Sequence, residues 1–467
     1  MNNNMKQFLL LLLLGFTLIS NASDYNVLNY GAKADGITKD TKAVQAAIDA
    51  CTKNGGGNVI IPAGKTVVIG TIYLKDFVTL YIENGAVLLG SPDIEDYTTD
   101  THKNTYKNEP HMDRCLIFAR EAKSFAIKGL GTIDANGHPK YFTKEKGGRP
   151  MMMRFLNCSN IQLKEVTLLN PAAWTSAWLY CDQIVVDGIK IISRVNNNGD
   201  GLDFDGCTNV RVANSSFDTS DDSICLQTSR PDKPCKNIVI TNCVFTSKWA
   251  AMRISLASRG NFESITVSNC TFHDIQDSGL KIQMNEGGEM KNMIFSNIVM
   301  KNVPRPIFLT FCQQRAGVDT PETMFPMMAM HSFSFNHMII DNRELDKNSV
   351  IFLTGMPKNY ITDIQLNNIQ MTVAGGGTQV DSDKKDIKEF TLETLDGWWP
   401  EFSKVGTLPA SGVYARHIDG LYINNFQLTT ISDDKRKPIV LDDVLNFDLK
   451  SIFLNRKKII SKEIKQH

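Results

Sequence analysis

Two acidic blocks, NGDGLD at residues 198–203 and DTSDDSICL at 218–226, bring Asp200, Asp203, Asp221 and Asp222 into one short stretch of chain, with Asp205 close behind the first block. A carboxylate is costly to bury alone, so acids that recur between apolar runs mark a polar strip with a chemical task. Cleavage of an acetal is one such task. It needs a protonated carboxyl at the leaving oxygen and an ionised carboxylate that activates water on the opposite side of the sugar. Crowded acids suit this division, because mutual repulsion keeps one proton bound and raises a macroscopic pKa toward the working range. Oxygen ligation of a calcium ion is a second use for the same residues.

The scaffold that would position them is written in a repeat. CSNIQL, CDQIVV, CTNVRV, CKNIVI, FESITV and MKNMIF each alternate apolar and polar residues. Their equivalent positions Asn160, Gln183, Asn209, Asn237, Ser264 and Asn292 are 23, 26, 28, 27 and 28 residues apart. A period of this size is one coil of a solenoid, in which short strands bury an apolar face only by stacking on their copies. The leucine-rich signature is absent and no helical stretch interrupts the units, so the expected fold is all-β: a single-stranded right-handed parallel β-helix. In that fold Asn160, Asn209, Asn237 and Asn292 are expected to superpose as an internal amide ladder that satisfies turn backbone; ordinary turn chemistry is the alternative. In a regular strand Asp221 and Asp222 would face opposite ways, so a turn or bulge at Ser220 is required if both serve one cleft.

Composition fits one exported domain. Residues 1–22 combine Lys6, a Leu-rich run from Phe8 to Ile19 and the small residues Ser20 and Ala22, the pattern of a cleavable export signal. The remainder, 23–467, reads as one β-helix domain with turn insertions near 305–330 and 373–410. No segment has the length of a membrane span. The 467 residues carry 50 basic and 50 acidic side chains, so no bulk field favours nucleic acid. Among ten cysteines, Cys158, Cys181, Cys207 and Cys235 share one offset from the repeat, and Cys243 and Cys270 another. That points to stacked, buried small residues rather than a disulfide framework. Zinc spacing is absent, and neither a cofactor nor a resident metal is expected. Near the start, Asp40 is placed to cap a helix over about 41–53 whose Val44, Ala47, Ile48 and Cys51 would cover the open end of the stack.

GAKADGITKDTKAVQAAIDAC, GGGNVIIPAG and GLGTIDANG resemble the opening of the pectin-active glycoside hydrolases of family 28. NPAAW at 170–174 is similar to the aromatic segment before their site, and the two acidic blocks match the family's NTDGxD and DxGDDCIxx motifs at the family's spacing. The resemblance, to a divergent bacterial member, spans most of 26–300. It implies a pectin-lyase-like β-helix that hydrolyses uronate-containing plant polysaccharide with inversion. It further implies Asp221 as general acid and Asp200 with Asp222 as the pair that activates water.

Departures from the family motifs are equally informative. The family's GHG block falls at Lys248-Trp249-Ala250, without a histidine, and its RIK block at Lys281-Ile282-Gln283. Of the basic residues that hold the substrate carboxylate in the family, Lys281 alone stands in place, with Gln283 beside it and Arg253 as a compensating charge. Plain homogalacturonan is therefore not the expected substrate, and another pectic polysaccharide or oligosaccharide is. Trp174 is expected to act as a sugar platform one coil before Asp200, and Trp249 to stack on a ring. Phe311, Arg315, Trp398 and Trp399 fall in the insertions, where groove walls are built, and a wall at one end would favour attack on chain ends. Asp433, Asp434, Asp442 and Asp443 read as structural. The competing classes are a calcium-dependent uronide lyase and a non-catalytic glycan-binding solenoid. The working assembly is a monomer, located in the periplasm or outside the cell.

Overall fold

The computed structural model of the protein describes residues 23–102, 112–143, 145, 148–312, 329–395, 400–460 and 464–466. Residues 1–22, expected from the sequence to be an export signal, and Arg315, Trp398 and Trp399 lie outside the described residues. Each repeat read from the sequence is a strand, paired in parallel with the strand one repeat later. Ile161 stacks on Ile184, then Val210, Ile238, Ile265 and Met293. Leu163 heads a parallel column through Val186, Val212, Ile240, Val267 and Phe295. All of these side chains are buried. Alternate residues face inward, so the interval between repeats sets the register and the stacked columns form the core. The result is a right-handed parallel β-helix.

A second sheet carries the Phe217–Phe245–Phe272 stack, in which the first two rings lie 4.8 Å apart and 7° from parallel. A third sheet bears the site. Its strands are β1 (Ser176–Leu179), β2 (Leu202–Asp205), β3 (Ile224–Thr228), β4 (Ala250–Ser258), β5 (Ser278–Met284), β6 (Arg305–Phe311) and β7 (Ile351–Thr354). They pair in that order. Helix α1 (Thr41–Lys53) buries Val44, Ala47, Ile48 and Cys51 against the first coils, as its pattern required.

Three expectations are corrected. The asparagines do superpose, but outside: Asn160, Asn209, Asn237 and Asn292 are exposed and sit at φ near +55°, where the chain leaves one sheet for the next. Asparagine tolerates that left-handed geometry, and the ladder runs across the surface, Asn237 donating to Asn209 at 3.0 Å and Asn209 to Asp182 at 2.7 Å. Asp40 is the N-cap residue of α1, its carbonyl accepting from Val44 N at 3.0 Å, but its side chain makes no capping bond. Its carboxylate accepts from the amides of Lys33 and Ala34, both at 2.8 Å, and so ties down the preceding loop. Phe311 is no wall residue either; it ends β6 with its ring in the core, so the first insertion begins only after the strand.

All ten cysteines are buried and no disulfide joins them. Asp434 pairs with Arg436 at 2.7 Å, Asp442 accepts from the Tyr414 hydroxyl and Asp443 from that of Tyr360, a structural use for each. Asp433 pairs with Lys435 on the exposed surface. No helix among the described residues is long and apolar enough to cross a membrane.

Candidate active site

Asp200 lies on the turn entering β2 and the Asp221–Asp222 pair on the turn entering β3, one coil apart. The coils are drawn together there by backbone bonds, Gly201 N to Asp222 O at 2.9 Å and Thr175 N to Asp200 O at 2.9 Å. Both glycines of NGDGLD are needed for this approach. A Cβ on Gly199 would stand 2.3 Å from the Ser193 carbonyl oxygen, and one on Gly201 would stand 2.2 Å from that of Ser223. Gly201→Ala is accordingly expected to lower the melting temperature and disorder the turn, measured by thermal unfolding and residual activity; a variant with wild-type stability and activity would contradict this packing.

The chain bends at Ser220, whose Oγ accepts from Gly199 N at 3.0 Å. The Asp221 carbonyl takes hydrogen bonds from Thr219 and Ser247, each at 2.6 Å. This turn breaks the strand alternation and lets both acids serve one cleft. One carboxylate oxygen from each of Asp200, Asp221 and Asp222 lies within 4.8 Å of the others. Asp200 and Asp222 are buried and Asp221 half-buried.

Burial pushes the Asp222 carboxyl above the ordinary aspartate range. Arg253 and Lys281 pull it down, while Glu401 and Asp277 push it further up. A proton in so tight a set belongs to the group as a whole. The same oxygens could embrace a cation, yet the Arg253 guanidinium stands 3.4 Å from Asp222 and already supplies a positive charge that a divalent ion would oppose.

Arg253 on β4 is buried, not at the surface; its Nη2 donates to Gln283 Oε1 at 3.1 Å. Burial disfavours its charge, and Asp222 and Glu401 more than offset that, holding its pKa above the ordinary value. Lys281 on β5 is wholly enclosed. Its Nζ pairs with Asp277 at 3.0 Å and with Glu401, beneath the Trp249 ring at 4.9 Å. Asp277 also meets Arg305 at 2.8 Å; against burial, Lys281 and Arg305 hold its carboxyl down to about 2. Gln283 Nε2 donates to the Pro400 carbonyl at 2.7 Å.

Sequence reasoning therefore named Asp200, Asp221, Asp222, Arg253, Lys281 and Gln283 of one cluster but missed Asp277, Arg305, Glu401 and Pro400. Trp249 is 36% exposed beside the acids and can meet a sugar. Trp174 cannot: it is 4% exposed and packs with Met112, Cys115, Phe118 and Met151. Its NPAAW segment turns the ring inward because the chain around residue 112 covers it. Arg154 secures that covering chain by donating to the carbonyls of Thr101, His102, Met112 and Asp113.

One row of side chains runs along the third sheet from Arg154 through Ala177, Asp203, Cys225, Arg253 and Lys281 to Phe308, Phe352 and Tyr414. Both ends are covered. Thr101, His102, Met112 and Asp113 lie over one, held by Arg154, and Phe390, Leu395, Phe402 and Leu408 lie over the other, packed on Phe308, Phe352 and Tyr414. Four coil steps, about 19 Å, separate Ala177 from Lys281, enough for a few sugars only.

The description "Glycosyl hydrolases family 28" belongs to the family whose model matches residues 51–375. A probable polygalacturonase of Vitis vinifera is 25% identical over 424 residues, covering 84% of each chain. An exo-poly-alpha-D-galacturonosidase of Dickeya chrysanthemi is 25% identical over 423 residues, covering 77% of this chain and 69% of its own. Among solved structures, a family 28 exopolygalacturonase of Yersinia enterocolitica superposes with a TM-score of 0.71 at 21% identity, over 94% of this chain and 79% of the other.

Proposed function

The chain belongs to glycosyl hydrolases family 28, and on that premise we propose that this glycoside hydrolase removes sugars from the ends of pectic chains other than plain homogalacturonan, with inversion. The observation that carries the reading is the meeting of Asp200, Asp221 and Asp222 within 4.8 Å on two adjoining turns. Asp221, the most exposed of the three, protonates the leaving oxygen, while Asp200 and Asp222 hold and deprotonate the attacking water. Ordinary inverting pairs stand about 6.5–9.5 Å apart and retaining pairs about 5–5.5 Å, so the spacing alone leans toward retention. The third carboxylate favours inversion, because two acids can share one water where a retaining enzyme needs a single nucleophile.

Attack on chain ends is supported by the covering of both ends of the row. Residues 1–22 direct export, and the enzyme meets its pectic substrate outside the cytoplasm. Product analysis on homogalacturonan and rhamnogalacturonan fragments tests the reading. Small products from the first minutes, with an inverted anomeric configuration by NMR, are expected. A ladder of intermediate lengths would replace terminal attack, a retained anomer would make one carboxylate a nucleophile, and an unsaturated uronide would make the protein a lyase.

A further inference from the structure

Among the described residues, Arg253, Lys281 and Arg305 near the acids are each already met by a carboxylate of the chain itself. Arg253 faces Asp222 at 3.4 Å, Lys281 faces Asp277 at 3.0 Å together with Glu401, and Arg305 faces Asp277 at 2.8 Å. Gln283 adds no charge. Glu401 enters from the excursion between Val373 and Ala410, seated by the bond from Gln283 to the adjoining Pro400 carbonyl. Its Oε2 accepts from Lys281, while its Oε1 is buried and has no hydrogen-bond partner among the described residues. Lys281 is the cross-strand neighbour of Arg253, which meets Asp222 at 3.4 Å, so the Glu401–Lys281 pair sits at the edge of the reacting centre.

We propose that Glu401 is a specificity-determining residue that selects a sugar presenting a hydroxyl, and rejects one presenting a carboxylate, at the position above Lys281. The inference rests on the hydrolase reading above and narrows its substrate to a neutral residue at that position. A uronate there finds Lys281 already engaged and meets a second carboxylate in water-poor surroundings, where like charges repel strongly. A neutral sugar instead donates a hydroxyl to Glu401 Oε1, forming a charge-assisted bond and satisfying an acceptor that is costly to leave unpaired. Sites built to bond a substrate hydroxyl discriminate sharply against analogues that lack it.

The test uses an oligogalacturonide and its carboxyl-reduced counterpart, equal in length and linkage, in which each carboxylate has become a hydroxymethyl group. Dissociation constants by calorimetry and kcat/KM are measured for the wild type, Glu401→Gln and Glu401→Asp. The wild type is expected to favour the reduced oligosaccharide by at least about tenfold, and Glu401→Gln to erase about tenfold of that preference. Glu401→Asp, which keeps the charge, should retain it. A structural role alone would weaken both ligands together and leave the ratio unmoved. Preference of the wild type for the uronate, an unchanged ratio in Glu401→Gln, or binding of neither oligosaccharide overturns the proposal. The catalytic reading is tested apart: turnover that survives Asp221→Asn sinks that reading, while the ratio of dissociation constants still judges Glu401.

Discussion

Asp221→Asn is expected to lower turnover on the natural pectic linkage by about 10² to 10⁴, the usual worth of general acid catalysis, with the fold intact. Asparagine keeps the side-chain oxygen that accepts from the Asp222 amide at 3.0 Å, and the bonds from Thr219 and Ser247 go to the backbone carbonyl. The turn therefore survives while the proton donor is lost. Two further readouts separate a lost acid from general damage. An aryl glycoside with a good leaving group needs little protonation, so the deficit should shrink on it. The pH profile also divides the roles: activity requires a protonated acid and falls as pH rises through the acid's pKa, so Asp221→Asn should remove the alkaline limb.

Asp222 governs the other limb in this scheme. Burial raises its carboxyl, so a base there is protonated, and activity lost, at a higher pH on acidification than for an ordinary aspartate. The acid limb of kcat/KM should thus lie above about 3.9, and Asp222→Asn should be severely impaired. Loss of the alkaline limb in Asp222→Asn, with that limb intact in Asp221→Asn, would exchange the two roles. Near-normal turnover of Asp221→Asn on the natural linkage would move the chemistry elsewhere.

The meeting of the three aspartates was legible because the solenoid converts sequence into space by a simple rule. Residues about one coil apart become neighbours, so the 21-residue step from Asp200 to Asp221 predicts their meeting as directly as the step from Ile184 to Val210 predicts a core contact. The rule says nothing about what covers the outer face. Trp174 and Arg253 lie on coils whose outer sides are closed by chain from outside the repeat, and no local pattern announces that closure. Glu401 lies 120 residues from Lys281, in a non-repeating excursion. The asparagine ladder illustrates a different ambiguity: the period locates a turn residue without saying whether its side chain points in or out, and here the left-handed backbone turns it outward.

Lys281→Met, which the family motif alone would cast as a loss of substrate affinity, is expected instead to destabilise the protein by about 3–5 kcal/mol, the typical cost of deleting one partner of a buried ion pair. Lys281 is fully buried, and its loss leaves Asp277 paired with Arg305 alone and removes the ion pair that Glu401 makes among the described residues. Added salt should not restore stability, because a buried pair is barely screened; a surface lysine that gripped substrate would behave in the opposite way. Glu401→Gln placed on Lys281→Met removes the stranded charge and should recover part of the loss, giving a coupling energy well above that of exposed pairs. The damage should centre on the excursion that carries Pro400 and Glu401, so amide exchange there should rise before exchange in the stacked columns does. A Lys281→Met protein as stable as the wild type, with substrate affinity weakened and salt-sensitive, would return this lysine to the role of a substrate clamp and leave Glu401 an incidental neighbour.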